Sequence, residues 1–153
     1  MQYDEEKLFY ETFSNIQCLI RLGYEEKEFE VKKWEDKFSS VSYKLIYISK
    51  NRKVSILYFE GEEHISFYIG NINDVYLEKP KWEQNSFCVE EWLEVHKYAD
   101  KDIFSFDKNT TDLKANFELI KKRFEEVCQI KELKKILKGE DWWEEPLFTF
   151  YNY

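Results

Sequence analysis

The residues here with the most chemistry to offer are His64 and His96, the cysteines Cys18, Cys88 and Cys128, and neighbouring glutamates such as Glu25-Glu26, Glu62-Glu63, Glu90-Glu91 and Glu144-Glu145. Two histidines cannot hold a zinc ion without further ligands, and nothing in the spacing supplies them. No CxxC pair occurs, so neither a zinc knuckle nor a redox pair is indicated. Cys18 and Cys128 fall on helical apolar stripes, where a reduced thiol acts as a small hydrophobe. Cys88 begins a short helix, a place where a thiol pKa can fall, although a helix-entry filler is the plainer use. Adjacent glutamates point to opposite faces of a strand, or about 100° apart on a helix, so pairing in sequence does not make an acid/base pair. No GxSxG, HExxH, P-loop or GxGxxG motif is present. Only 4 glycines occur, which leaves no phosphate-cradling loop. The expectation is a protein that is not an enzyme and that has no catalytic residues, cofactor or metal.

What the chain has instead is acid beside aromatics. Asp and Glu number 31 against 23 Lys and Arg, for a formal net charge of -8, and aromatics make up 19% of residues. That balance disfavours nucleic acid and anionic membrane, and it speeds encounter with cationic partners. Acid and aromatics meet at Glu140, Asp141, Trp142, Trp143, Glu144 and Glu145, with a second acidic turn at Glu60, Glu62 and Glu63. Tryptophan anchors interfaces because it buries much area with few rotatable bonds. Surrounding carboxylates steer a basic protein toward it. Trp142 and Trp143 are adjacent, so two arrangements are open: one packs and the other faces out, or both cover the end of the core. These residues are the candidate partner-binding positions. Basic clusters at Lys50, Arg52 and Lys53 and at Lys121, Lys122 and Arg123 make no nucleic-acid face.

A length of 153 residues fits one domain, 1–153, ending in an aromatic, acidic tail over 140–153. The acidic N-terminus has no apolar core and does not read as a signal peptide. No apolar run approaches the roughly 18–20 residues that span a bilayer. Three scattered cysteines suit a reducing cytoplasm.

Phe9, Phe13, Ile16 and Ile20 predict a helix from about Asp4 to Leu22, stopped by Gly23. Residues from Tyr24 to Lys33 alternate loosely and suit an edge strand. Strands follow at Val41 to Ile48, Val54 to Phe59 and His64 to Ile69, joined by turns too short for anything but antiparallel pairing. A further strand is expected near Val75-Tyr76-Leu77, and a short helix from Phe87 to Tyr98. Leu113, Phe117, Ile120, Phe124 and Val127 predict a long helix from Thr111 to about Ile130, capped by Thr111 or Asp112. A last turn or two with Leu133, Ile136 and Leu137 ends at Gly139. The fold class is α+β: an N-terminal helix, an antiparallel meander of about four strands, and C-terminal helices over one sheet face.

Arg21-Leu22-Gly23-Tyr24, the meander from Val41-Ser42-Tyr43 to Ile65-Ser66-Phe67-Tyr68-Ile69-Gly70, and the stretches Leu113-Lys114-Ala115-Asn116-Phe117 and Leu137-Lys138-Gly139-Glu140-Asp141-Trp142 together carry a likeness. The layout resembles the small cytosolic immunity proteins of bacterial polymorphic toxin and contact-dependent inhibition systems. The resemblance implies a cognate toxin domain as partner, often a nuclease with a basic cleft, blocked by an acidic surface. The alternatives are a small-ligand-binding or enzymatic domain with a pocket between sheet and helices, and a structural module or homodimer marked by an exposed edge strand. Monomer or weak dimer is expected.

Overall fold

The computed structural model describes residues 4–35, 40–72 and 86–143. The strand expected near Val75-Tyr76-Leu77, and the candidate residues Glu144 and Glu145, lie outside the described residues.

The fold is α+β. The N-terminal helix α1 (Glu5–Phe13) and the short α2 (Gln17–Arg21) precede β1 (Glu25–Lys33), β2 (Val41–Ile48), β3 (Arg52–Phe59), β4 (Ser66–Asn71) and β5 (Ser86–Cys88). Helices α3 (Val89–Val95), α4 (Leu113–Val127) and α5 (Lys131–Leu137) follow, with a 3-10 turn at Lys101–Phe104. The five strands are antiparallel and stand in chain order, β1-β2-β3-β4-β5. Successive side chains of a strand alternate between faces. Tyr43, Leu45 and Tyr47 of β2, Val54, Ile56 and Tyr58 of β3, and Phe67 and Ile69 of β4 therefore share one buried face. The helices pack on that face. The Phe67 ring stacks on Phe124 of α4 at 4.2 Å, and Phe13 of α1 meets Phe117 edge-on at 5.7 Å.

Three local readings change. The single helix expected over Asp4 to Leu22 is broken at Ser14-Asn15, both poor helix formers. Tyr47 spans the break: its hydroxyl donates to the Phe13 carbonyl and accepts from the Ile16 amide. The break turns α2, so Cys18 and Leu19 are buried while Ile20 is 45% exposed. Phe87, expected in a helix, belongs to β5 opposite Ile69, and α3 starts two residues later. The sheet thus has five strands rather than about four.

Gly23 and Gly139 end α2 and α5 as the sequence expected. Both have positive φ, at +89° and +82°. After α5 the Glu140 amide donates to Lys135 O at 2.9 Å and the Gly139 amide to Ile136 O at 3.0 Å, the paired bonds of a glycine helix stop. A Cβ at Gly139 would lie 3.0 Å from Asn51 Nδ2. Gly139→Ala is expected to cost about 1–2 kcal/mol in urea denaturation, since both the left-handed backbone and the contact disfavour a side chain.

Candidate functional site

Strand alternation and two loops build an acidic groove at one end of the sheet. Its floor is Tyr43 of β2 and Tyr58 of β3, directly opposite in register and ring-stacked at 6.2 Å. Phe106 extends the floor, 6.2 Å from Tyr58. One wall is the β3–β4 turn with Glu60, Gly61, Glu62 and Glu63. The facing wall is held to it by main-chain pairing: Phe106 N donates to Glu63 O at 2.7 Å and Ile65 N to Phe104 O at 3.1 Å. That pairing brings in Asp107, whose amide is fixed by buried Asn116 at 2.8 Å. The start of α1 closes the end with Asp4 and Glu5. The groove is open to solvent and encloses about 970 Å³.

Charge is lopsided here. Asp4, Glu5, Glu60, Glu62, Glu63 and Asp107 line the groove, and Lys108 is its one basic residue among those described. Among the described residues the groove carboxylates make no ion pair with Lys or Arg, and Glu62 lies 3.6 Å from His64 Nε2. Partial burial pushes the Glu60 carboxyl above its ordinary value, and the negative charges of Glu5, Asp4 and Glu6 add to that. The two floor tyrosines orient the acids, Tyr58 donating to Glu5 at 2.8 Å and Tyr43 donating to Glu60. The tyrosine rings themselves are buried, so what the groove offers a lysine ammonium or an arginine guanidinium is its carboxylates.

The tail patch is built differently. Trp142 and Trp143 are both half-buried, each edge-on to Phe87 at 5.3 and 5.2 Å, so of the two arrangements open from the sequence both rings pack. Arg52 lies 4.9 Å over the Trp142 ring. It is only 7% exposed and donates to Ile136 O at 3.0 Å, Asn71 Oδ1 at 2.6 Å and Asp141 O at 2.8 Å. Glu140 and Asp141 remain exposed beside them. Arg52 opens β3 and Glu60 follows its end, so the two candidate patches lie roughly 25 Å apart along that strand.

A second hollow of about 270 Å³ holds His64, Cys88, Glu90, Glu91, Lys101 and Asp102. Cys88 donates its thiol to Glu90 at 3.2 Å. Burial and the Glu90 charge push that thiol up, the reverse of the lowered value a helix start can produce, so it is not primed as a nucleophile. Cys18 and Cys128 are buried as expected. No set of three or more His, Cys, Asp or Glu among the described residues could hold a metal ion. No helix among them is long and apolar enough to cross a membrane.

The structure thus gathers Glu60, Glu62 and Glu63 with four groups the sequence did not single out for binding: the Asp4-Glu5 pair, Asp107, the tyrosine floor and Phe106. The alternation that puts Tyr43 and Tyr58 on one face was the available signal for the floor. Comparison with known proteins gives no matching family model, no matching curated protein and no matching solved structure.

Proposed function

We propose that this chain is an immunity protein, a stoichiometric inhibitor that covers the basic cleft of a cognate bacterial toxin domain and works in the cytoplasm without a cofactor. The observation that carries the reading is the open groove with six carboxylates, an aromatic floor and one lysine. Charge of that kind raises the on-rate for a basic partner and repels nucleic acid. The sequence resemblance to immunity proteins supplies the class of partner. Glu60, Glu62, Glu63, Asp4, Glu5 and Asp107 contact the toxin, with Glu60 and Glu5 held in place by the hydroxyls of the buried Tyr43 and Tyr58. Glu140, Asp141, Trp142 and Trp143 form a secondary contact at most, because the tryptophans are engaged by Phe87 and Arg52.

The test is co-expression with the toxin domain encoded by the adjacent upstream gene. The wild-type chain is expected to relieve growth arrest. Glu60→Lys with Glu63→Lys, folded by circular dichroism, is expected to relieve it poorly or not at all. A wild-type chain that gives no relief, or a double variant that protects fully, overturns the proposal.

A further inference from the structure

All three cysteines of the chain are free, and the fold brings two of them together. Cys18 lies on α2, and Cys128 follows the last turn of α4 as its cap. All five strands separate them along the chain, and their side chains lie within interaction distance of each other. A separate contact fixes that approach. The Cys18 amide donates to Glu125 Oε1 at 3.1 Å. Glu125 stands three residues before Cys128, on the same side of α4. The break after α1, bridged by the Tyr47 hydroxyl, is what turns Cys18 inward. Both cysteines are buried, Cys18 at 6% exposed and Cys128 at 0%.

We infer that Cys18 and Cys128 are a redox-active pair, which an oxidant of the peroxide class converts into a disulfide joining α2 to the end of α4. Cys18 is the less buried of the two and reacts first. Its sulfur attacks one peroxide oxygen, the O–O bond breaks, and Cys18 becomes a sulfenic acid as one water leaves. The Cys128 sulfur then attacks the Cys18 sulfur. The S–O bond breaks, and the thiol proton departs with the hydroxyl as a second water. The two thiols give up two electrons and one peroxide is reduced. An added thiol reverses the bond by exchange. Burial, the Cys18 thiol beside it and the Glu125 charge push the Cys128 thiol up, so it stays protonated until the neighbouring sulfur is oxidised. Cys88 does not compete, since it sits on β5 and donates its thiol to Glu90 at 3.2 Å. The bond closes a loop of about 110 residues, which restricts the unfolded chain far more than the folded one. The fold therefore tightens when oxidised and returns to its ordinary stability when reduced. The pair is separate from the groove and does not depend on the immunity reading.

The test is thiol counting on the folded full chain, reduced, freed of reductant and then exposed to hydrogen peroxide. Alkylation in denaturant, read by intact mass, is expected to find one free thiol where the reduced chain has three. Peptide mapping is expected to find Cys18 joined to Cys128 and Cys88 still free. Dithiothreitol is expected to restore all three thiols. Cys88→Ser is expected to form the same bond and to leave no free thiol. In urea the oxidised chain is expected to unfold at a higher concentration than the reduced one. Three free thiols after peroxide overturn the inference. So does a bond that involves Cys88 or a second chain, a product that dithiothreitol does not reverse, or an oxidised chain that unfolds at lower urea.

Discussion

Arg52→Ala is expected to lower folding stability by about 3 kcal/mol and to loosen the Trp142–Trp143 segment. The guanidinium is buried, and burial pulls its pKa below the ordinary arginine value. It is tolerated because its hydrogens are used. Nε donates to the Ile136 carbonyl, and the two amino groups reach Asn71 Oδ1 and the carbonyl of Asp141. Truncation leaves those acceptors without their donor and strips the cation from the Trp142 ring. Urea denaturation reads the stability loss. Limited proteolysis reads the release, with cleavage expected first between residues 139 and 143. In a double-mutant cycle with Trp142→Leu the coupling is expected to be about 1 kcal/mol. Simple additivity would show that Arg52 holds the carbonyls and not the ring.

Glu90→Gln is expected to stabilise the protein at pH 8 by about 3 kcal/mol and to have little effect at pH 4. Glu90 is 8% exposed. Burial raises its carboxyl from the ordinary 4.5 to about 7, against the lowering pull of the Phe67 amide and the Cys88 thiol. His64, Glu91, Lys101 and Asp102 line the same hollow, and none of them forms an ion pair with Glu90 among the described residues. A raised carboxyl pKa means the folded state holds the proton more tightly than the unfolded chain. Its contribution is therefore fully present below about pH 4.5 and is lost as pH climbs through about 7. Glutamine keeps an acceptor for the Phe67 amide, 3.0 Å from Glu90 Oε1, and never ionises. The measurement is the stability difference between variant and wild type across pH, which cancels the other carboxylates. A flat difference curve would contradict the account.

The elements with strong periodicity were legible. The stripe Phe117, Ile120, Phe124 and Val127 is buried along α4, and Asp112 caps that helix by accepting from the Lys114 amide. The meander, the edge position of β1 and the glycine stops also follow from local pattern. What local pattern does not carry is contact between distant segments. The break in the first helix depends on a tyrosine hydroxyl from β2. Arg52 reads as part of a basic turn with Lys50 and Lys53, and only the fold shows that α5 and the segment after it close over it. The groove draws on residues near 5, 43, 60 and 107, so its acids are ordinary surface residues until the sheet aligns them. Acid and tryptophan at 140–143 were adjacent in sequence and easier to see, yet those rings are spent on packing.

The proposed role of the groove is tested most directly by titration calorimetry with the product of the adjacent upstream gene, the proposed toxin. The wild-type chain is expected to bind one to one, with affinity falling as salt rises. Glu60→Lys with Glu63→Lys is expected to weaken binding about 100-fold, and reversal of Glu140 and Asp141 much less. Unchanged affinity in the groove variant, or a larger loss from Glu140 and Asp141, would contradict the assignment.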